Sequence, residues 1–262
     1  MGPDRRGHNR SPRGPCDDDT PPEHPGVVLP AHVFVALLVG AVITFVPVIG
    51  RVARIATTIT HEVGHCIVVV PFGGRIHRIT LQSDGSGEAQ VDLGRVPHGI
   101  RWLVRILNLY AGYSAPLWAG VLLVTGTLAG NRVLTTTVLA VIAVIALVFV
   151  RNWFGLLVVV GFVALAAWVA LRPSDDTVLV VAAVGALFVV DGVRSIVQVA
   201  GWIATGRRVR TDFHITAGEF HGPAALWYAL FVVVNAGVVW LAREPLTAVG
   251  ATVAAGIRAL LP

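Results

Sequence analysis

The chain has few charged residues and no lysine. Of its 262 residues, 13% are charged, whereas about a quarter are charged in a soluble globular domain. Because 55% of the residues are hydrophobic and the mean hydropathy is +0.75, the composition excludes an ordinary soluble enzyme, a disordered chain and a nucleic-acid-binding domain. It indicates a polytopic membrane protein that has the lipid bilayer as a partner.

Arginine carries all the basic charge, and it does not form a basic face. The formal net charge of +5 would suggest nucleic acid as a partner in a soluble protein. Here the 20 arginines stand mostly at the ends of apolar runs, which is typical of residues that set membrane topology. Cysteine is also scarce. Cys16 and Cys66 lie in very different settings, so no disulfide framework is implied.

Apolar runs organise most of the chain. Residues 1–26 are rich in Pro, Gly, Arg and Asp and predict a disordered tail. Residues 27–262 form one transmembrane unit, and we expect an all-α polytopic membrane protein with about six or seven transmembrane helices. The apolar runs are 27–49, 55–72, 103–129, 133–150, 153–171, 177–205 and 224–242.

One segment after the second apolar run has a different, more polar composition. The stretch Ile76–Val91 reads IHRITLQSDGSGEAQV, in which Asp84-Gly85 and Ser86-Gly87 are turn signals between two strand-like stretches. This pattern predicts a small β-hairpin over about residues 76–94. Because its open edges could not face lipid, we expect the hairpin at the membrane interface or against the helices.

The distribution of arginine predicts the orientation of the chain, provided that all seven runs cross the bilayer. One side then receives the tail, the hairpin, Arg151 and the loop 207–210, and the other side receives fewer arginines. By the positive-inside rule, the amino terminus and the hairpin lie in the cytoplasm. The expected location is the cell membrane, with multiple passes.

The strongest chemical signal is the pentapeptide HEVGH, which begins at His61 and ends at His65. On a helix these two histidines share one face, so they can bind one Zn²⁺ while Glu62 reaches a water molecule beside it. Three ionisable groups within an apolar run cost roughly 3 kcal/mol each on insertion scales, and a dication would compensate them. The pattern predicts one zinc ion per chain, with His61 and His65 as ligands and Glu62 as the catalytic residue.

A catalytic zinc ion needs a third protein ligand and an open position. The two candidates are Asp191, deep in the run 177–205, and Asp212, after an arginine-rich loop. At about 1.5 Å per helical residue, His61 and Asp191 both come near the middle of the bilayer, whereas Asp212 falls outside it. Depth therefore favours Asp191 as the third ligand, with Asp212 as the second choice. The alternative for Asp191 is a salt bridge to Arg194 on the next helical turn.

Further motifs follow the pentapeptide in order and cover about residues 30–242. They are Phe72-Gly73-Gly74-Arg75, Asp84-Gly-Ser-Gly87, Leu109-Tyr-Ala-Gly-Tyr113, Arg151-Asn-Trp-Phe-Gly155, Val190-Asp-Gly-Val-Arg-Ser195 and Gly222-Pro-Ala-Ala-Leu-Trp227. With them the chain resembles the M50 (site-2 protease) family of intramembrane metallopeptidases, and in particular its M50B-like branch. It departs from the family where only Asp191-Gly192 remains of a motif ending in Leu-Asp-Gly. It also has Thr211-Asp212-Phe213 where the branch usually reads Ser-Asp-Ala.

The resemblance implies zinc bound by His61 and His65, Glu62 as general base, and a carboxylate ligand from a later helix. It also implies that the hairpin helps to present an extended substrate. The expected function is that of an intramembrane zinc-dependent endopeptidase, which hydrolyses a peptide bond in or near a transmembrane segment of a membrane protein substrate.

Three other functions compete with this one. A membrane zinc protease of the gluzincin type would use Glu219 as the third ligand. A non-catalytic metal-binding membrane protein of the same fold, acting as a sensor or scaffold, would not need Glu62. A metal transporter is disfavoured because the other apolar runs lack the repeated carboxylates and histidines of a translocation path.

Overall fold

A computed structural model of the protein describes residues 31–172, 174–207, 209 and 211–241, with the further single positions Arg243, Thr247, Ala251, Ala254 and Arg258. The tail predicted at residues 1–26 lies outside these residues. The described helices are α1 (Ala31–Ile43), α2 (Ile49–Val69), α3 (His98–Leu128), α4 (Arg132–Phe149), α5 (Trp153–Leu171), α6 (Asp175–Ala204), α7 (Asp212–Phe220) and α8 (Ala224–Leu241). Strands β1 (Arg75–Leu81) and β2 (Gly87–Asp92) form one antiparallel pair.

Six of the described helices are long and apolar enough to cross a membrane, namely α2, α3, α4, α5, α6 and α8. The predicted helical fold with a small hairpin is therefore confirmed. In the first apolar run, 27–49, the described helix is α1. It has 13 residues and extends about 20 Å. A helix of this length is shorter than the roughly 30 Å hydrocarbon core.

The helix α1 begins at the end of the bundle that lies opposite the hairpin. There His32 lines a cleft with Asn131, Arg132 and Asp175, which lie at the starts of α4 and α6. The helices α1 and α2 together lead from that end to the hairpin. The arginine count assumed seven crossings, which the described helices do not provide, and the side of the amino terminus stays a prediction.

Small residues bring the central helices α3 and α6 close together. A Cβ atom on Gly120 of α3 would lie 2.7 Å from the carbonyl oxygen of Gly185 and 2.7 Å from the nitrogen of Val189, both on α6. A glycine also allows α1 to approach α6 closely, because Gly40 lies against the backbone of Ala183. Such contacts are typical of helix packing in membranes, where dispersion forces and close approach replace the hydrophobic effect.

The hairpin folds back along α2. Its turn is held by the hydroxyl of Thr58, which donates a hydrogen bond of 2.9 Å to the carbonyl oxygen of Gly85. Gly85 has a φ of +90°, a left-handed conformation that favours glycine. A Cβ atom on Gly87 would lie 2.8 Å from Oε1 of Glu62, so the second strand starts directly beside this carboxylate. The expectation that the hairpin lies against the helices is confirmed.

The outer edge of β1 is closed by the connection between α4 and α5. Val150 forms a parallel bridge with Ile79, and the N–H of Arg151 donates to the carbonyl oxygen of Ile79 at 3.1 Å. The side chain of Asn152 then accepts from the N–H of Leu81 at 3.0 Å and donates to its carbonyl oxygen at 2.6 Å. The free edge of this two-stranded sheet is therefore the outer edge of β2.

The α3–α6 contact predicts how a single methyl group changes stability. We expect Gly120→Ala to destabilise the protein by about 1–3 kcal/mol, because the backbone of α6 must move to admit it. The control is Gly161→Ala in α5, where a Cβ atom meets nothing within 4 Å. Thermal unfolding in detergent measures both variants, and equal unfolding temperatures would contradict the proposed tightness of this contact.

Candidate metal centre

The pentapeptide HEVGH lies within α2, so His61 and His65 project from one face of this helix. Their Nε2 atoms are 3.2 Å apart. The Nδ1 atom of His65 lies 2.7 Å from the main-chain carbonyl oxygen of Asn108. Because a carbonyl only accepts, Nδ1 carries the proton and Nε2 presents its lone pair, which is the usual arrangement of a histidine that binds a metal.

Asp212 completes a set of three donor atoms. Its Oδ2 atom is 3.4 Å from Nε2 of His61 and 3.7 Å from Nε2 of His65. A tetrahedral zinc ion with bonds of about 2.0–2.1 Å holds its ligand atoms about 3.3 Å from one another. The three side chains therefore fit a zinc ion that keeps its fourth position open, and they are the cluster of potential metal ligands found among the described residues.

The charge of Asp212 suits this role. Burial favours its neutral form, but the hydrogen bond with His61 and the electrostatic effect of the two imidazole groups and of Arg105 outweigh burial, so the pKa of Asp212 lies below its ordinary value. The carboxylate is thus ionised at neutral pH, as a metal ligand must be.

An aromatic cluster fixes Asp212 in place. Asp212 is the first residue of α7, and the next residue, Phe213, is 1% exposed. The ring centroid of Phe213 lies 5.3 Å from those of Tyr113, Tyr228 and Phe231. These rings belong to α3 and α8, so the start of α7 is anchored between these two helices.

Asp191 does not lie with the histidines. It is 2% exposed, and its Oδ2 atom accepts a hydrogen bond from the hydroxyl of Thr57, one helical turn before His61. Its Oδ1 atom is 3.9 Å from Nη1 of Arg194. The structure thus brings Asp212 to the histidines instead of Asp191, the residue preferred from the sequence, and Asp191 has the alternative contact with Arg194.

The depth argument failed for a geometric reason. It placed the middle of each apolar run at the middle of the bilayer. However, Asp191 meets α2 at Thr57, one helical turn before His61, so a similar depth does not bring its carboxylate to the histidines. The segment after α6 also folds back as α7 over the cleft, which a count along the chain does not reveal.

Glu219, the candidate ligand of the gluzincin type, forms an ion pair instead. Its Oε2 atom accepts from Nε of Arg105 at 2.7 Å, and its Oε1 atom accepts from the same guanidinium group. This pair joins the end of α7 to α3 at the rim of the cleft. Glu219 therefore lies outside the set of three donor atoms.

The catalytic candidate Glu62 borders a cleft of about 720 Å³. One wall of the cleft is the strand segment Gly87–Val91, and the other is formed by α3 and α7. The backbone N–H of Ala89 in β2 faces the carboxylate of Glu62. Glu62 thus lies between the histidines and the free edge of the hairpin.

Three residues of α3 belong to the site, although sequence reasoning gave them no role in it. A Cβ atom on Gly112 would lie 2.6–2.7 Å from ring atoms of both histidines. Tyr113 packs edge-on against His61 with 4.7 Å between ring centroids. Asn108 lines the cleft. The available signal was a group of polar and aromatic residues within an otherwise apolar run.

The fold and these residues define a membrane protein with a cluster of potential metal ligands beside a buried glutamate. A family model described as Peptidase M50B-like matches residues 34–242, about four-fifths of the chain. The chain therefore belongs to the Peptidase M50B-like family and is a multi-pass membrane protein. M50 peptidases are zinc metalloproteases. No curated protein and no solved structure matches the chain.

The aromatic anchor of α7 predicts a local loss of order. We expect Phe213→Ala to expose the amides of residues 212–220 to hydrogen exchange, because removing a buried ring costs about 3–5 kcal/mol. The control is Phe220→Ala, at the half-buried end of the same helix, where the ring packs against Trp227. Exchange followed by mass spectrometry compares the two, and equal protection in both variants would refute the anchoring role.

Proposed function

We propose that the protein is an intramembrane zinc-dependent endopeptidase, which cleaves a peptide bond in or near a transmembrane segment of a membrane protein. The observation that supports this most directly is the spacing of the donor atoms of His61, His65 and Asp212. This set lies beside the buried carboxylate of Glu62 and along a cleft with a free strand edge. Family membership supports the same class of reaction.

In this proposal, His61, His65 and Asp212 hold the zinc ion. Asp212 takes the place that the sequence argument had given to Asp191. A zinc ion at such a site polarises a carbonyl oxygen and lowers the pKa of water, which is the Lewis-acid chemistry that peptide hydrolysis needs.

Glu62 acts as the general base. Its carboxylate is next to His61 in sequence and is buried at the cleft. It takes a proton from the attacking water and passes this proton to the leaving amine of the substrate. The carbon–oxygen bond forms first, the carbon–nitrogen bond breaks when the amine receives the proton, and the products are a new carboxyl terminus and a new amino terminus.

The free edge of β2 receives the substrate as an extended strand. A transmembrane helix hides its carbonyl groups in its own hydrogen bonds, so it must unwind locally before hydrolysis. Pairing with β2 gives the unwound segment new hydrogen-bond partners. The outer edge of β1 is already paired with residues 150–152, so the substrate binds on the side where Glu62 lies.

We also propose that the hairpin end of the bundle lies in the cytoplasm. Among the described residues, more arginines lie at or near this end than at the other end, where Arg132, Arg172 and Arg243 lie, and the positive-inside rule then gives the orientation. The arginines of the hairpin end are Arg75, Arg78, Arg95, Arg101, Arg151 and Arg207.

Metal analysis tests the ligand set. We expect about one zinc ion per chain in the detergent-purified protein, and its loss in His61→Ala and Asp212→Ala, because either variant leaves only two protein ligands. Asp191→Ala and Glu219→Gln are the matched controls and should keep zinc. Retention by Asp212→Ala together with loss by Asp191→Ala would reverse the assignment. A folded wild-type protein that binds no zinc when it is supplied would refute the proposal.

Activity tests the role of Glu62. We expect Glu62→Gln to keep its zinc and to lose cleavage by a factor on the order of 10²–10⁴, the usual contribution of a general base. Cleavage of labelled single-span membrane peptides in liposomes is the measurement, and Glu219→Gln is the control that removes a different acid near the cleft. If Glu62→Gln cleaves as well as the wild type, Glu62 is not the base. If the wild type binds zinc without cleaving any peptide of the panel, the sensor or scaffold function is favoured.

A further inference from the structure

Asn108 has a buried side-chain amide without a hydrogen-bond partner among the described residues. The residue is 2% exposed, and its Oδ1 atom is buried and unpaired. Its main-chain oxygen is used by His65, but that contact leaves the side chain free. A buried amide almost always forms hydrogen bonds that replace the ones it would make with bulk water. The unpaired amide therefore indicates a partner that comes from outside the chain.

The position of Asn108 shows where this partner would lie. Asn108 lines the same cleft as the strand segment Gly87–Val91, on the opposite wall. A strand added to β2 uses every second residue to pair with β2 and directs the N–H and C=O groups of the residues between them away from it. Those groups then face the part of the cleft that α3 and α7 line. Most backbone groups of a helix are used within it, so side chains of this lining are the groups that can receive them.

Asn108 is the polar side chain on this wall that suits a peptide group. The guanidinium of Arg105 is occupied by Glu219, and the phenol of Tyr113 carries a single hydroxyl group. An asparagine amide holds one acceptor and a pair of N–H donors on one carbon atom. It can therefore bond both the N–H and the C=O of one residue.

The same type of contact already exists on the other side of the hairpin. There the amide of Asn152 accepts from the N–H of Leu81 and donates to its carbonyl oxygen. This contact satisfies the outer edge of β1. An asparagine amide thus pairs with the outward main-chain groups of a strand within this fold.

We propose that the side-chain amide of Asn108 binds the main chain of the substrate strand, on the side that faces away from β2. It donates to the carbonyl oxygen and accepts from the N–H of one substrate residue. The ligand is an extended peptide, recognised through its backbone and not through its side chains. The inference rests on the proposed function, and it makes Asn108 a substrate-binding residue that fixes the peptide relative to Glu62.

A labelled peptide hydroxamate tests the contact without turnover. The probe is fluorescein-labelled Leu-Ala-Leu-Ala hydroxamate, and its dissociation constant is measured by fluorescence polarisation with the full chain in detergent. We expect Asn108→Leu to bind it about 10- to 100-fold more weakly, as two lost hydrogen bonds imply. Asn108→Asp keeps the shape but loses the donor, and it should also bind more weakly. The control is Asn235→Leu, whose amide forms hydrogen bonds with Ser114, Trp118 and Phe231 outside the cleft.

Ester analogues of the probe separate direct binding from a structural effect. Each analogue replaces one backbone N–H with oxygen. At one position we expect the ester to weaken binding to the wild type about tenfold and to change nothing further in Asn108→Leu, because the contact is already lost. Equal losses in both proteins at every position, or wild-type affinity in Asn108→Leu, would overturn the role of Asn108. Zinc content is measured in parallel: a wild type that lacks zinc refutes the metal site as well, whereas a zinc-loaded Asn108→Leu with full affinity refutes only this inference.

Discussion

The close approach of α2 to α3 is the constraint on which the site depends. A Cβ atom on Gly64 would lie 2.6 Å from the carbonyl oxygen of Ala111, and one on Gly112 would touch both imidazole rings. Only at this separation does His65 reach the carbonyl oxygen of Asn108. The hydrogen bond selects the tautomer that leaves Nε2 free, so the packing of two glycines determines the chemistry of a histidine.

Two arginines also tie helices of the bundle together. Nη1 of Arg54 and Nη1 of Arg194 each lie 3.4 Å from the carbonyl oxygen of Thr44, just after the end of α1. Cations near the carbonyl end of a helix offset its partial negative charge. Arg194 also approaches Asp191, which in turn accepts from Thr57. This chain of contacts joins α1, α2 and α6, and it gives Asp191 a role that needs no metal.

The sequence predicted those parts of the site that depend on neighbours along the chain. The four-residue spacing of His61 and His65 becomes a shared face in any helix, and the turn chemistry of Asp84 to Gly87 specifies the hairpin. The third carboxylate depends on tertiary packing instead. Asp191 and Asp212 carry the same side chain, and only the burial of Phe213 between α3 and α8 decides which of them meets the histidines.

Asn108 and Asn152 illustrate a second limit of sequence reasoning. Both are amides in apolar surroundings, and both face the hairpin from opposite sides. Asn152 finds its partner in the main chain of Leu81, a residue 71 positions away in sequence. Asn108 has no partner in the described chain. A pattern in one sequence cannot reveal a partner that is distant in the chain or absent from it.

The unequal edges of the hairpin also bear on self-association. A two-stranded sheet with two free edges can pair on both sides and extend from molecule to molecule without limit. Here residues 150–152 cover one edge, so the hairpin has one edge that can pair with another strand. Two copies could pair through β2 and would then be closed to a third. The connection between α4 and α5, which covers the other edge, thus limits strand pairing between molecules to two copies.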